Sequence, residues 1–105
     1  MFGWTGKILS IDLTTKKYSF VYPDEYVYLK YIGGKGLAGY YLKEHITESW
    51  DSETMPLLFF SGPLVNTQAP TSGRITVMSR SPLTGTVGDT SVGGKLGTHL
   101  KKAGF

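Results

Sequence analysis

Apolar and polar residues alternate near the start of the chain. Leu9, Ile11 and Leu13 are spaced by Ser10 and Asp12, and Tyr18, Phe20 and Tyr22 repeat the period after Thr14–Lys17. A two-residue period marks half-buried strands, so the two runs predict a β-hairpin with a short loop. Pro23-Asp24 then predicts a helix start, with Asp24 as N-cap and Glu25 in the first turn. Tyr26, Leu29 and either Tyr31 or Ile32 form its apolar stripe, and Gly33-Gly34 ends it through a left-handed cap. A second short helix is expected over Gly36–His45, with Leu37, Tyr40, Tyr41 and Glu44 at helical spacing. Thr47–Pro56 reads as a polar connection, Leu57–Phe60 as a buried strand and Ile75–Ser79 as a strand between two loops. Gly94–Ala103 reads as a last helix with Leu96, Leu100 and Ala103 on one face, Lys101 and Lys102 at its C-terminal end and Gly104 as cap. Strands and helices that do not alternate regularly indicate an α+β fold: a small mixed or antiparallel sheet with about three short helices.

At 105 residues the chain has room for one small core, and residues 1–105 are read as a single domain or part of one. No apolar run reaches the roughly 18 residues of a membrane span, and Met1–Thr5 leads into a strand pattern rather than a signal segment. The expected location is therefore the cytoplasm. The chain has no cysteine, which excludes disulfides, cysteine-bound zinc and cysteine-held iron–sulfur clusters within it. Charge is unevenly placed. Residues 1–53 hold six lysines against seven carboxylates, whereas residues 54–105 hold Arg74, Arg80, Lys95, Lys101 and Lys102 against Asp89 alone. That half favours an anionic partner, unless its charges form only a solvated basic face.

Two glycine patterns imitate nucleotide sites. Gly34-Lys35-Gly36-Leu37-Ala38-Gly39 has the G-x-G-x-x-G spacing but follows a predicted helix, not a strand, and reads as helix-breaking punctuation. Gly88–Lys95 resembles a phosphate-binding P-loop, yet Gly94 separates Gly93 from the lysine and Leu96 stands where a Mg²⁺-binding hydroxyl belongs. Acid–base and nucleophilic catalysis lack support. His99 reads as solvated, and Ser72 and Ser91 have no histidine at a defining spacing. Asp89 is available to cap the last helix, to pair with Lys95 or to help hold a divalent cation. Nucleic-acid binding is disfavoured because the tyrosines cluster in the acidic half, apart from the basic residues.

The segment Ser61–Leu96, rich in glycine, proline and small hydroxyl residues, points to a phosphate-bearing ligand. Gly93-Gly94 at a helix start would present open N–H groups to an anion, with Ser91 capping or donating. Arg74 follows Gly73, so a guanidinium suited to bidentate phosphate contact sits beside backbone that permits close approach. A loop, a helix cap and a surface arginine account for the same residues.

Several blocks carry a resemblance. They are Gly3-Trp4-x-Gly6, Ile11-Asp12-Leu13-Thr14-Thr15, Ile32-Gly33-Gly34-Lys35-Gly36-Leu37, Ser61-Gly62-Pro63-Leu64, Ala69-Pro70-Thr71-Ser72-Gly73-Arg74, Ser81-Pro82-Leu83-Thr84-Gly85, and Gly93-Gly94 through Lys102-Ala103-Gly104-Phe105. In this order they resemble the first part of the N-terminal domain of the aldehyde ferredoxin oxidoreductase family, tungsten or molybdenum bis-pterin enzymes. The resemblance implies half of a β-rich base on which the pterin lies. It implies cofactor contacts at Arg74, Ser91, Gly93 and Gly94, with Mg²⁺ bridging the phosphates. The family usually has asparagine at the position of Ser91, and smaller residues at Val65-Asn66 and Gln68. The implied cofactor is a tungstopterin or molybdopterin; the family's 4Fe–4S cluster finds no ligands here.

Two functions follow as expectations. One is the cofactor-base segment of a tungsten-dependent aldehyde:ferredoxin oxidoreductase, acting with the remainder of the oxidoreductase chain or a partner subunit and with ferredoxin, and inert alone. The other is a free-standing, non-enzymatic pterin-binding or assembly module that works with a partner chain. Exposed sheet edges also predict self-association.

Overall fold

The opening alternation folds into the expected hairpin. In the computed structural model, which describes residues 3–105, β1 (Ile8–Asp12) runs antiparallel to β2 (Lys17–Val21). Met1 and Phe2, where the Met1–Thr5 reading begins, lie outside the described residues. The Asp12 carboxylate accepts the Thr14 N–H at 3.0 Å and tightens the turn. Leu9 lies opposite Phe20 and Ile11 opposite Tyr18, so these four share one face of the hairpin. Ile8, on the other face, packs against the core. The larger apolar set is thus turned outward, and Ile11, Tyr18 and Phe20 are exposed rather than half-buried.

Helix α1 (Glu25–Tyr31) starts after Asp24, as expected, but Asp24 makes no side-chain cap. The helix buries Val27 and Tyr28 and leaves Tyr26 and Leu29 exposed, the reverse of the expected stripe. In a helix of only seven residues one turn fixes the buried face, and Trp4, whose ring lies 5.8 Å from that of Tyr28, selects it. The helix does not end on glycine. Ile32 is the residue with φ 67 and ψ −66, a γ-turn closed by the Gly33 N–H on the Tyr31 carbonyl at 2.8 Å. Trp4 Nε1 donates to the Ile32 carbonyl at 2.6 Å and holds this turn against the N-terminal segment.

Helix α2 (Gly34–Leu42) continues into a 3-10 turn at Lys43–His45, so Gly34, Gly36 and Gly39 open a helix instead of breaking one. Close approach accounts for Gly36 and for Gly33 just before the helix: a Cβ on Gly36 would strike the Tyr31 carbonyl, and one on Gly33 would lie 2.7 Å from the Ser61 carbonyl. Leu37, Ala38 and Leu42 are buried against Phe60 and Met78 of a second sheet.

That sheet has the order β3 (Leu58–Ser61), β4 (Ile75–Arg80), β5 (Val87–Val92), all antiparallel. Strand β5 lies within the stretch expected to be loop. Its polar sequence, Val-Gly-Asp-Thr-Ser-Val, hides the strand because an edge strand solvated along most of its length needs no apolar face. The fold is α+β, as expected, with its strands divided between two small antiparallel sheets.

Successive residues of β4 face opposite ways. Thr76 and Met78 face α2, whereas Ile75 faces helix α3 (Leu96–Lys102), where a Cβ on Gly97 would lie 2.5 Å from Ile75 Cγ2. Helix α3 is shorter than expected at both ends. Leu96 and Ala103 are exposed, and buried Gly97 with half-buried Leu100 makes the contact. Gly104 caps the helix at φ +100, its N–H bonded to the Lys101 carbonyl at 3.0 Å. The 46–56 connection is pinned by Arg80, whose guanidinium donates to the carbonyls of Ile46 and Glu48 at 2.5 and 2.7 Å. The Thr54 hydroxyl, foremost, holds the Glu48 carboxyl below its ordinary pKa; burial opposes it, and His45 adds to the lowering.

Candidate functional site

The hydrogen-bond ladder between β4 and β5 assembles the residues singled out in the sequence. Ile75 lies opposite Val92 and Thr76 opposite Ser91. Arg74 directly precedes Ile75 and Gly93 directly follows Val92, so both leave the last bonded pair at the same end of the two strands. The close approach agrees: a Cβ on Gly73 would sit 3.2 Å from the Gly94 carbonyl. Arg74, Ser91, Gly93 and Gly94, separated by as many as twenty positions in sequence, therefore meet at one end of one ladder.

Each position has a local cause. Gly94 has φ +108, a conformation that L side chains rarely adopt, and it turns the chain from β5 toward α3. No atom beyond the neighbouring residues lies within 4 Å of where a Cβ would stand on Gly93 or Gly94, so that side of each is open. Arg74 is exposed and makes no ion pair among the described residues. Ser91 shares the α2 face of the sheet with Thr76 and is exposed.

Two expectations about this end are corrected. Gly93-Gly94 does not open the helix: α3 begins at Leu96, after Lys95, and no side chain caps it. Ser91 is a strand residue, so its hydroxyl cannot serve as that cap. Their common cause is β5, which runs through Val92 and delays the helix. Asp89 neither caps α3 nor pairs with Lys95. Its carboxylate binds Lys35 of α2 at 3.0 Å. Among the described residues no group of three His, Cys, Asp or Glu side chains is placed to hold a metal ion. His99 is exposed, as expected.

Lys35 and Thr76 were not singled out in the sequence. Lys35 neutralises the only carboxylate of residues 54–105, which leaves Arg74 and Lys95 uncompensated beside the open glycines. Thr76 is buried at 6 % exposure beside the α2 start, its hydroxyl 3.4 Å from where a Cβ on Gly34 would stand. Lys101, by contrast, is structural: Nζ donates to the Pro63 carbonyl at 2.8 Å, and burial lowers its pKa. Among the described residues no helix is long and apolar enough to cross a membrane.

Known proteins share this sequence pattern and fold. Residues 8–105 match the family described as the aldehyde ferredoxin oxidoreductase N-terminal domain. The tungsten-containing aldehyde ferredoxin oxidoreductases of Pyrococcus abyssi and Pyrococcus horikoshii are 38 % and 39 % identical to all of this chain, which spans 18 % of each. A solved structure, the active-site complex BamBC of benzoyl-coenzyme A reductase with 1,5-dienoyl-CoA, superposes with a TM-score of 0.89 at 30 % identity, over 99 % of this chain and 16 % of that one. The chain thus spans under a fifth of the relatives it matches, and it belongs to the aldehyde ferredoxin oxidoreductase family as a counterpart of that family's N-terminal domain.

Proposed function

We propose that the chain is a cofactor-base segment that holds the phosphates of a tungstopterin or molybdopterin at the Arg74–Gly93 end of the β4–β5 ladder. The observation that carries the reading is the end of the β4–β5 ladder, where Arg74 and Gly93-Gly94 flank the last bonded pair and nothing crowds the Cβ side of either glycine. Arg74 would supply paired N–H donors to a phosphate, the N–H groups near Gly93 and Gly94 would approach it closely, and Ser91 would add a hydroxyl. Residues present and group fit in charge, because the one carboxylate nearby is already paired. A Mg²⁺ between phosphates would take its ligands chiefly from them, since no carboxylate cluster serves it here.

When bound, such a cofactor supplies the two-electron oxidation of an aldehyde to a carboxylate. This chain binds and orients it. Electron transfer to ferredoxin needs a cluster held elsewhere, because the chain has no cysteine. The 105 residues alone are expected to be inert toward aldehydes and to act with the rest of an oxidoreductase, as one unit of its base domain.

The test is titration with molybdopterin and, separately, inorganic pyrophosphate, following Arg74→Ala beside the parent chain. Losing a charge-assisted pair should weaken binding by about 10- to 100-fold, from roughly 1.5–3 kcal/mol. Equal affinity of the two chains would remove Arg74 from the site.

A further inference from the structure

The hairpin turns its larger apolar set away from the core. Leu9, Ile11, Leu13, Tyr18 and Phe20 line an open groove of about 530 Å³ together with Phe105, which stacks on Phe20 at 5.8 Å between ring centroids. Ile11, Leu13 and Tyr18 are 59, 82 and 70 % exposed. An alternation this regular is a burial pattern, and a contiguous apolar surface of this kind marks an interaction site in a folded chain. Among the described residues both strands of the hairpin also keep an unpaired edge, since the sheet there has these two strands.

Charge and length select the occupant. The Lys7 ammonium sits 4.8 and 5.0 Å from the centroids of Phe20 and Phe105, and Lys16 and Lys17 line the same groove. Two copies placed face to face would bring these cations together, which opposes self-pairing and favours a partner with carboxylates at its flanks. In the matched relatives, moreover, this region is 18 % of the chain, so most of each polypeptide lies beyond it. We propose that this face docks a segment equivalent to the relatives' chain beyond the matched region. The segment is a strand or hairpin of alternating apolar residues with acidic flanks, on the same polypeptide or a separate one.

The absence of cysteine gives a direct test. Ile11→Cys places a single thiol in the groove. Its labelling by a maleimide is read by mass on the peptide between Lys7 and Lys16, first in the 105-residue chain. It is then read in a chimera in which the chain replaces the matched region of the Pyrococcus abyssi relative. Labelling should slow at least tenfold in the folded chimera and recover on denaturation; equal rates would overturn the proposal. A second measurement covers a chimera that fails to fold. The separately produced remainder of the relative should bind the 105-residue chain, lose that binding with Ile11→Lys and keep it with Leu83→Lys at a distant exposed site. No binding, or binding indifferent to Ile11→Lys, overturns the proposal. So does a concentration-dependent dimer of the chain that Ile11→Lys dissolves, since a second copy would then be the occupant.

Discussion

Tyr41 shows how one side chain couples the core to pH. Its ring stacks on Phe60 with centroids 5.8 Å apart, and burial, followed by the nearby Tyr28, Tyr40 and Glu44, pushes its hydroxyl up to about 12. The unfolded chain releases this proton near 10, so folding favours the protonated form between the two values. The contribution is fully present below pH 10 and is lost as pH rises through about 12. The urea midpoint should therefore fall between pH 9 and pH 11, and Tyr41→Phe should flatten that fall. An unchanged slope would mean that other groups set the alkaline limit. At this scale the sequence was legible for chemistry and less so for conformation. Arg74 and the glycines could be chosen because guanidinium and bare backbone are recognisable types. The left-handed turn at Ile32 could not, because local preference assigns it to glycine and only the Trp4 bond to the Ile32 carbonyl shows what holds it.

Among the elements, α3 depends on a missing side chain. Gly97 lets the helix lie directly on β4, where a Cβ would be 2.5 Å from Ile75 Cγ2 and 3.3 Å from Val65 Cγ1. Gly97→Ala gains roughly 1 kcal/mol of helix propensity but adds an overpacking cost of about 1–3 kcal/mol. The net loss should lower the melting temperature by several degrees, and because α3 adjoins the Gly94 turn it should also weaken pyrophosphate binding. A melting temperature at or above that of the parent would show that the helix shifts freely. The elements with apolar periodicity were readable: the hairpin, the Leu57–Phe60 strand and the two middle helices lie within a few residues of their expected bounds. Strand β5 escaped because edge strands carry polar residues. Yet Val87, Thr90 and Val92 are the β-branched residues that could have revealed it.

Over the whole molecule, α2 packs on one face of β4, α3 meets the other face at Ile75, and β3 and β5 pair with its two edges. No other strand among the described residues is paired along both edges. Its backbone amides can meet solvent only when the entire domain opens, whereas those of the hairpin can do so through local opening. In D₂O the β4 amides should therefore be the last to exchange, at least roughly a hundredfold slower than those of β1 and β2, and should track global stability across urea concentrations. Comparable rates in the two sheets would mean that the hairpin and the central strand open as one unit. Because Arg74 is joined directly to the first residue of β4, the slowest clock in the molecule runs one peptide bond away from the proposed phosphate contact. A ligand can arrive and leave many times there before its anchoring strand once lets go.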